Sequence, residues 1–352
     1  MGAAAMTRRH WIALSFLVIA AAAALWFGWR QHEQDWLRQP IAGLGQAVVF
    51  EVPAGVSLTG VADTLQARGI LDNPGAWVRH AKRTGAATRI QTGEYELLPG
   101  TTPAALLDQL VAGDVLLHAL TIPEGWTARQ ALAAIQSHPQ VTVELRGLTE
   151  RQWMARIGLA DQHPEGQFFP DTYRFPRGTS DRELLLQAHG RLQRELEAAW
   201  RRRAADLPFE TPYEALILAS VVEKETGAAD ERPLIAGVFA NRLRKGMRLQ
   251  TDPTVIYGLG EKFDGNLRKR DLLADTPYNT YTRAGLPPTP IALCGRAALA
   301  AAVRPAATEA LYFVATGMGD GRHFFATSLV AHNANVTRHL SNLRGGSGVQ
   351  VR

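Results

Sequence analysis

The chain has 352 residues, of which 46% are hydrophobic and 20% are charged, a composition typical of a folded protein that excludes wholesale disorder. Its single cysteine, Cys294, excludes an intramolecular disulfide framework and a zinc site built on thiolates. The net charge of +5 rests on 33 arginines against 5 lysines, and it is compatible with a membrane surface, a cell wall or a nucleic acid as the partner.

Residues 11–29 form an apolar segment without charge near the N-terminus. At a helical rise of about 1.5 Å per residue this segment reaches nearly 30 Å, roughly the hydrocarbon thickness of a bilayer. Tryptophans lie at both ends and Arg8 and Arg9 precede it, so we predict a transmembrane anchor, with residues 1–10 in the cytoplasm. A cleaved signal peptide is the alternative, and the alanine run at 20–24 suits a cleavage site.

Three stretches after the anchor share one design, in which a short β-rich segment leads through a Pro/Gly turn into an amphipathic helix. They cover 48–65, 94–110 and 118–135, with a short helix predicted at 74–83. This pattern predicts small α+β modules. Scaffolding without a ligand is as good an interpretation of them as a binding role.

From about residue 160 the pattern changes to longer helices. Helices are predicted at 182–204, 212–226, 230–244 and 296–303 and from about 329, strands at 311–317 and in HFFAT, and a disordered tail at 344–352. Residues 246–295 are rich in Gly, Pro, Thr, Asn and Tyr and contain few regular elements. So long an irregular stretch inside a compact domain is usually functional.

Two glutamates end the predicted helix 212–226. Glu223 and Glu225 are two positions apart, about 200° around a helix, so they cannot act as a pair at one site. Glu225 continues the apolar stripe of the helix, and a partly desolvated carboxyl has a raised pKa that suits a general acid. Because the helix is apolar on nearly every side, its periodicity hardly shows which of the two glutamates lies at a site. The alternative for Glu225 is a surface glutamate that pairs with Lys224 or an arginine.

Standard signatures of several enzyme classes are missing from the sequence. It has no Walker loop, no HExxH, no G-x-S-x-G and no dinucleotide fingerprint after a strand, and its ten histidines lack metal-ligand spacing. We therefore expect no metal and no other cofactor. The arginines are scattered and no nucleic-acid-binding module is visible, so we expect no nucleic acid partner.

Five composite blocks resemble, in the same order, those of the YceG-like family of endolytic murein transglycosylases. They are EGQFFPDTYRF (165–175), LASVVEKETG (218–227), NRLRKGMRLQTDPTVIYGLG (241–260), TPYNTYTRAGLPPTPI (276–291) and the stretch from LYFVATG to HFFATSLVAHN. The resemblance covers about 45–340. It implies an α+β protein with one transmembrane helix, a LysM-like module at 45–117, a connecting subdomain at 118–160 and a catalytic domain at 161–343.

The resemblance also implies a function. Members cleave the β-1,4 bond after N-acetylmuramic acid in nascent peptidoglycan strands, leave 1,6-anhydro ends and terminate strand elongation near cell-wall synthases such as penicillin-binding proteins. They are single-pass type II proteins of the cell inner membrane with the catalytic part in the periplasm. The family's catalytic glutamate is the second Glu of the EKET block, which is Glu225 here. A non-catalytic peptidoglycan-binding scaffold and a hydrolytic muramidase are the alternatives.

Polar residues of these blocks are candidates for sugar recognition, because amides and hydroxyls suit sugar hydroxyls and N-acetyl carbonyls. The candidates are Gln250, Thr251, Asp252, Asn279, Thr280, Tyr281 and Glu165. Hydrogen bonds that lock the loops are the alternative for the first six, and Glu165 fits a turn equally well. Asp171 is expected to be a turn or cap residue, Phe168 and Phe169 to belong to the core, and Cys294 to be a small buried hydrophobe.

Overall fold

The computed structural model describes residues 8–346, which form helices and three two-stranded sheets. The chain divides into two compact units after His118. This mixture of helices and strands confirms the α+β class. Residues 1–7 of the predicted cytoplasmic N-terminus and residues 347–352 of the predicted tail lie outside the described residues. Residues 344–346 belong to a helix, so the prediction of disorder from 344 was wrong there.

Helix α1 (Arg8–Arg38) contains the predicted anchor and continues beyond it without a break. It is long and apolar enough to cross a membrane, which fits a single-pass anchor. Its last turns pack onto the first unit, because Leu37 is buried and the buried Glu33 accepts hydrogen bonds from Arg79 and Arg83. These contacts extend the helix past the apolar segment that the sequence marks.

The rest of the first unit is a two-stranded sheet packed with three helices. Its elements are β1 (Val48–Val52), α2 (Leu58–Ala67), α3 (Pro74–Arg83), β2 (Gly93–Leu97) and α4 (Pro103–Ala112). Strands β1 and β2 are antiparallel, with Phe50 opposite Tyr95 in the core. Helix α3 confirms the predicted helix at 74–83, and Asn73 caps its first turn. The LysM-like identity of this region stays a prediction.

The second unit consists mainly of helices. Its elements are β3 (Leu117–Thr121), which starts just before the division, then α5 (Ala128–Ser137), α6 (Glu150–Arg156), β4 (Thr172–Pro176), α7 (Asp181–Arg201), α8 (Pro212–Glu225), α9 (Arg232–Arg244), α10 (Asp252–Leu259), α11 (Lys269–Leu273), α12 (Arg296–Val303), β5 (Tyr312–Ala315), β6 (His323–Ala326) and α13 (Leu329–Gly346). Strand β3 pairs with β4, and β5 pairs with β6. Helix α12 confirms the prediction at 296–303.

The polar stretch at 246–295 is more regular than its composition suggests, since it contains α10 and α11. Helix α10 begins at Asp252-Pro253, and proline at the first helical positions is a start signal that the loop-like composition conceals. The remaining turns of this stretch are held by buried side chains rather than by helix or strand.

Helix α8 lies at the centre of the second unit. All eight residues from Ala215 to Val222 are buried, in a core shared with α7, α9 and α12. A helix covered on every side has no polar face, so its hydrophobic pattern does not show which side of the helix faces a site. The exit of α8 from this core is where its two glutamates lie.

Candidate active site

The carboxylate of Glu223 is occupied by structural partners. Arg232 donates to its Oε1 at 3.0 Å, and the backbone N–H of Gly295 donates to its Oε2 at 2.9 Å. The side chain is 4% exposed, so this ion pair lies inside the protein. Glu223 therefore joins α8 to the starts of α9 and α12 and leaves no oxygen for a ligand.

Glu225 is the last residue of α8, and its carboxylate has a different environment. It is half-buried, and its Oε1 accepts a hydrogen bond from the hydroxyl of Thr251. Burial raises the pKa of Glu225, and the negative charge of Asp252 raises it further, while the hydrogen bond from Thr251 and the nearby side chains of His323 and Arg242 act against this rise. A carboxyl with a raised pKa can hold a proton near neutral pH and donate it, as a general acid must.

Arg242 of α9 shapes the loop that brings Thr251 to Glu225. Its guanidinium donates to the carbonyl oxygen of Leu311 at 2.6 Å and lies over the ring of Tyr312. It also donates to the carbonyls of Arg248 and Leu249 and to Oε1 of Gln250. This buried cation thus fixes the backbone just before Thr251.

Gln250 has a φ of 52°, the one positive φ outside glycine among residues 8–346. Such a backbone conformation costs roughly 1 kcal/mol for a residue with a side chain. The loop is held there because the N–H of Gln250 donates to the carbonyl of Thr280 at 3.1 Å and the N–H of Thr251 donates to the Thr280 hydroxyl at 3.1 Å. The side chain of Gln250 is exposed.

Asn279 and Thr280 hold this pair of loops together. The amide nitrogen of Asn279 donates to the carbonyls of Asp271, Leu272 and Ala274, and its oxygen accepts from the N–H of Tyr281. Asn279 is fully buried and Thr280 is 3% exposed. Their geometry therefore favours the loop-locking interpretation over direct contact with a sugar.

Tyr281 and Asp252 complete the group around Glu225. The phenol of Tyr281 donates to Oδ1 of Asp252 at 2.6 Å, and burial raises the pKa of Tyr281. Asp252 is exposed and Tyr281 is half-buried. Of the predicted site residues, the structure thus brings Thr251, Asp252 and Tyr281 to the Glu225 carboxylate.

Glu165 has a separate environment. It is 4% exposed, its Oε1 accepts from the N–H of Ala128 at 2.9 Å, and it shares a hydrogen bond with Tyr257. Burial raises the pKa of Glu165 to about 7. The carboxyl therefore satisfies the first turn of α5 from inside the protein, and no described contact joins it to Glu225.

Four further residues lie where the sequence predicts them. Asp171 accepts from the N–H of Thr172 in a turn, and Phe168, Phe169 and Cys294 are buried. Within residues 8–346, no group of three or more His, Cys, Asp or Glu side chains is arranged to hold a metal ion.

Sequence reasoning missed Arg242 and the pair of Glu231 with His323. Nδ1 of His323 lies 2.8 Å from Oε2 of Glu231. The other carboxylate oxygen of Glu231, Oε1, accepts a hydrogen bond from the backbone N–H of His323. The signal for all three was their presence in or beside the family blocks. No local pattern shows that Arg242 and His323 act on Glu225, because their partners lie far away along the chain.

Comparisons with known proteins identify relatives of this chain. The model of the YceG-like family matches residues 50–338. A Bacillus subtilis protein named endolytic murein transglycosylase is 31% identical over 312 residues, covering 84% of this chain and 85% of the relative. Proteins of that name from two Streptococcus pneumoniae strains are 28% identical, covering 94% of this chain and 65% of each relative.

A solved structure is also similar. The 2.6 Å crystal structure of a putative yceG-like protein from Listeria monocytogenes matches with a TM-score of 0.51 and 28% identity, covering 82% of this chain and 99% of that one. Because the family model matches most of the chain and a relative above 30% identity is covered over most of its length, this protein belongs to the YceG-like family.

Proposed function

We propose that Glu225 is the general acid and base with which this protein cleaves peptidoglycan strands at the β-1,4 bond after N-acetylmuramic acid and leaves 1,6-anhydro ends. The enzyme class follows from the relatives named endolytic murein transglycosylase, so the chain is a peptidoglycan lytic transglycosylase. The observation that carries the assignment to Glu225 is a half-buried carboxyl at the end of α8 that has a raised pKa and accepts a hydrogen bond from the hydroxyl of Thr251.

The first step is proton donation. Glu225 in its protonated form gives its proton to the glycosidic oxygen, which leaves as the 4-hydroxyl of N-acetylglucosamine, and positive charge develops on the sugar that remains. The raised pKa supports this role because more of the enzyme then holds the proton at neutral pH.

The second step returns the proton. Glu225, now a carboxylate, accepts the proton of the 6-hydroxyl as this oxygen bonds to the anomeric carbon and closes the 1,6-anhydro ring. The nucleophile belongs to the substrate, so its effective concentration is high and no water is needed. One group that donates and then accepts a proton is sufficient for this sequence of steps.

Glycan recognition is proposed for the exposed or half-buried polar groups beside Glu225. Gln250, Asp252 and Tyr281 present an amide, a carboxylate and a phenol, which suit sugar hydroxyls and N-acetyl groups. Thr251 orients Glu225 through its hydroxyl. Asn279 and Thr280 act through the shape of the loops that carry this surface. Glu165 supports the first turn of α5 and is not proposed to contact the glycan.

The proposed setting is the periplasmic face of the cell inner membrane. Helix α1 supports a single-pass anchor, and Arg8 and Arg9 before the apolar segment support a cytoplasmic N-terminus. An enzyme anchored there would meet strands as they are made, so we propose that it terminates their elongation beside cell-wall synthases.

The test is the Glu225→Gln variant of the full-length protein in detergent, with Glu197→Gln as the matched surface control. We expect release of anhydro-ended fragments from peptidoglycan to fall by about 10²–10⁴-fold, the usual contribution of a general acid or base, while the control keeps wild-type activity. Mass spectrometry of the products measures the ends. Undiminished anhydro product from Glu225→Gln would contradict the proposal, reducing ends from the wild type would indicate a muramidase, and no cleavage at all would indicate a scaffold.

Glu223→Gln is not a clean control for this experiment. Glutamine would remove the 3.0 Å ion pair with Arg232 and leave this cation only the 3.9 Å contact with Glu124, so loss of activity could follow from loss of structure. Glu197 is exposed and pairs only with Arg201 on the surface of α7. The same change of carboxylate to amide there leaves the interior intact.

A further inference from the structure

The first residue of α10 places a second carboxylate beside Glu225. Asp252 directly follows Thr251, whose hydroxyl is donated to Glu225 and makes no hydrogen bond to cap its own helix. The side chain of Asp252 is exposed, and its negative charge acts on Glu225, raising the pKa of that carboxyl. The two carboxyls come from different helices and still share one site.

Tyr281 holds the Asp252 carboxylate in one orientation by donating to Oδ1 at 2.6 Å. Within the part of the chain that the structure describes, the other oxygen, Oδ2, accepts no hydrogen bond. The N-terminus of α10 favours negative charge at this position. An anionic oxygen that is fixed in place and left open is suited to face positive charge on a substrate.

The two basic side chains near Glu225, Arg242 and His323, are engaged elsewhere. Arg242 donates to backbone carbonyls of its own loop and of Leu311, and His323 is paired with Glu231. Neither forms an ion pair with Asp252 among residues 8–346. The titratable and charged groups that act on Glu225 are Asp252 from α10, Arg242 from α9 and His323 from β6, while the phenol of Tyr281 lies within electrostatic reach.

We propose that Asp252 is a second catalytic carboxylate, which stabilises the positive charge that develops at the anomeric carbon while Glu225 transfers the protons. This role rests on the proposed function of Glu225. It is additional to the sugar contact proposed above, because the interaction of Asp252 strengthens as the sugar becomes cationic and therefore lowers the barrier more than the dissociation constant.

The steps balance without any further reactant. The C1–O4 bond breaks, its electron pair stays on O4 with the proton of Glu225, and positive charge spreads over C1 and the ring oxygen. Asp252 faces this charge and forms no bond. O6 then bonds to C1 and its proton passes to the Glu225 carboxylate, which restores the starting enzyme.

The test compares Asp252→Asn with the wild type on uncrosslinked peptidoglycan strands, using the full-length protein. Removal of one preorganised electrostatic group usually costs about 10²–10³ in kcat, so we expect a loss of that size with KM nearly unchanged. We also expect the alkaline limb of the pH–rate profile to move to lower pH, because a negative charge that raises the pKa of Glu225 is removed. Tyr281→Phe should lower kcat by a smaller factor, since it frees the carboxylate but keeps its charge.

The controls separate this proposal from the proposed function. Asp264→Asn removes an exposed carboxylate that pairs with Arg268, and it should leave kcat and the pH profile unchanged. An inactive Glu225→Gln beside an Asp252→Asn variant with wild-type kcat would overturn the role of Asp252 alone. An active Glu225→Gln would overturn the proposed function. If Asp252→Asn fails to fold by circular dichroism, Asp252→Ser, which keeps a residue suited to a helix start, must show the same kcat loss and pH shift.

Discussion

Two regions of the second unit each contain a desolvated glutamate with a raised pKa, and they differ in what surrounds it. Glu225 ends a helix, is half-buried and has the exposed Asp252 beside it. Glu165 is 4% exposed, with one oxygen on the first N–H of α5 and a hydrogen bond to Tyr257. A raised pKa therefore does not distinguish a reacting acid from a buried structural one. Access for a substrate and the absence of competing partners do so.

Substitution of each carboxyl by its amide should separate the two glutamates by activity. Glu225→Gln should lower the rate of anhydro-product release by about 10²–10⁴-fold, while Glu165→Gln should stay within a few-fold of wild type, because an amide oxygen can still accept from Ala128. The rates are measured on the same peptidoglycan preparation by product mass spectrometry. Equal losses of this rate in both variants would contradict a reacting role for Glu225 and a structural role for Glu165.

Glu223 is a third carboxyl of this unit, and it differs from Glu165 and Glu225 because it forms an ion pair with Arg232. Glu223→Gln should lower the free energy of unfolding by up to about 3 kcal/mol, since Arg232 would lose its buried partner and keep only the more distant carboxylate of Glu124, at 3.9 Å. Thermal and denaturant unfolding of the full-length protein measure this. Wild-type stability in the variant would mean that the pair contributes little.

The pH dependence of stability offers a further test of Glu165. Its folded pKa of about 7 lies above the ordinary value of 4.5, so between these values the folded state binds the proton more strongly than the unfolded state. The free energy of unfolding should therefore fall as pH rises from about 4.5 to 7, by about 3 kcal/mol from this group, and level off above 7.

The matched variant for that measurement is Glu165→Gln, which should lack this part of the slope while keeping the hydrogen bond from α5. Unfolding midpoints at several pH values for both proteins give the difference. Parallel curves across the window would contradict the assignment of the titration to Glu165.

The smallest effect concerns the donor to Glu225. Thr251→Val keeps the volume of a 2% exposed side chain but removes the hydroxyl, so kcat should fall about tenfold, corresponding to one hydrogen bond of about 1.4 kcal/mol. The lost bond favours the charged form of Glu225, so its pKa should rise and the alkaline limb of the pH–rate profile should move to higher pH. Thr251→Ser should restore both quantities. An unmoved profile in Thr251→Val would exclude this hydroxyl as the donor that sets the protonation of Glu225.

Much of the fold follows from local pattern, and the site follows only in part. Helices α3 and α12 match their predicted bounds because capping residues or glycine mark their starts. The choice between Glu223 and Glu225 needed the family resemblance, since α8 is buried all round and its pattern gives no direction. Their partners, Arg232 and Thr251, supply the physical distinction.

Two features of the site could not be read locally. Helix α10 was missed because its Thr–Asp–Pro start lies in a polar, loop-like stretch, and the Thr251 hydroxyl serves Glu225 instead of its own helix. Arg242 was missed because its acceptors are backbone carbonyls up to 69 positions away. Long-range hydrogen bonds of this kind have no periodic signature.

The continuity of α1 has a mechanical consequence. Leu37 and Glu33 fasten the end of this helix to the first unit, so no hinge separates the apolar span from the folded region that follows. Transmembrane helices incline when their hydrophobic length exceeds the lipid thickness. In a thinner bilayer, a tilt of α1 would therefore tilt the rest of the first unit with it. The lipid composition would set the angle between the first unit and the membrane surface.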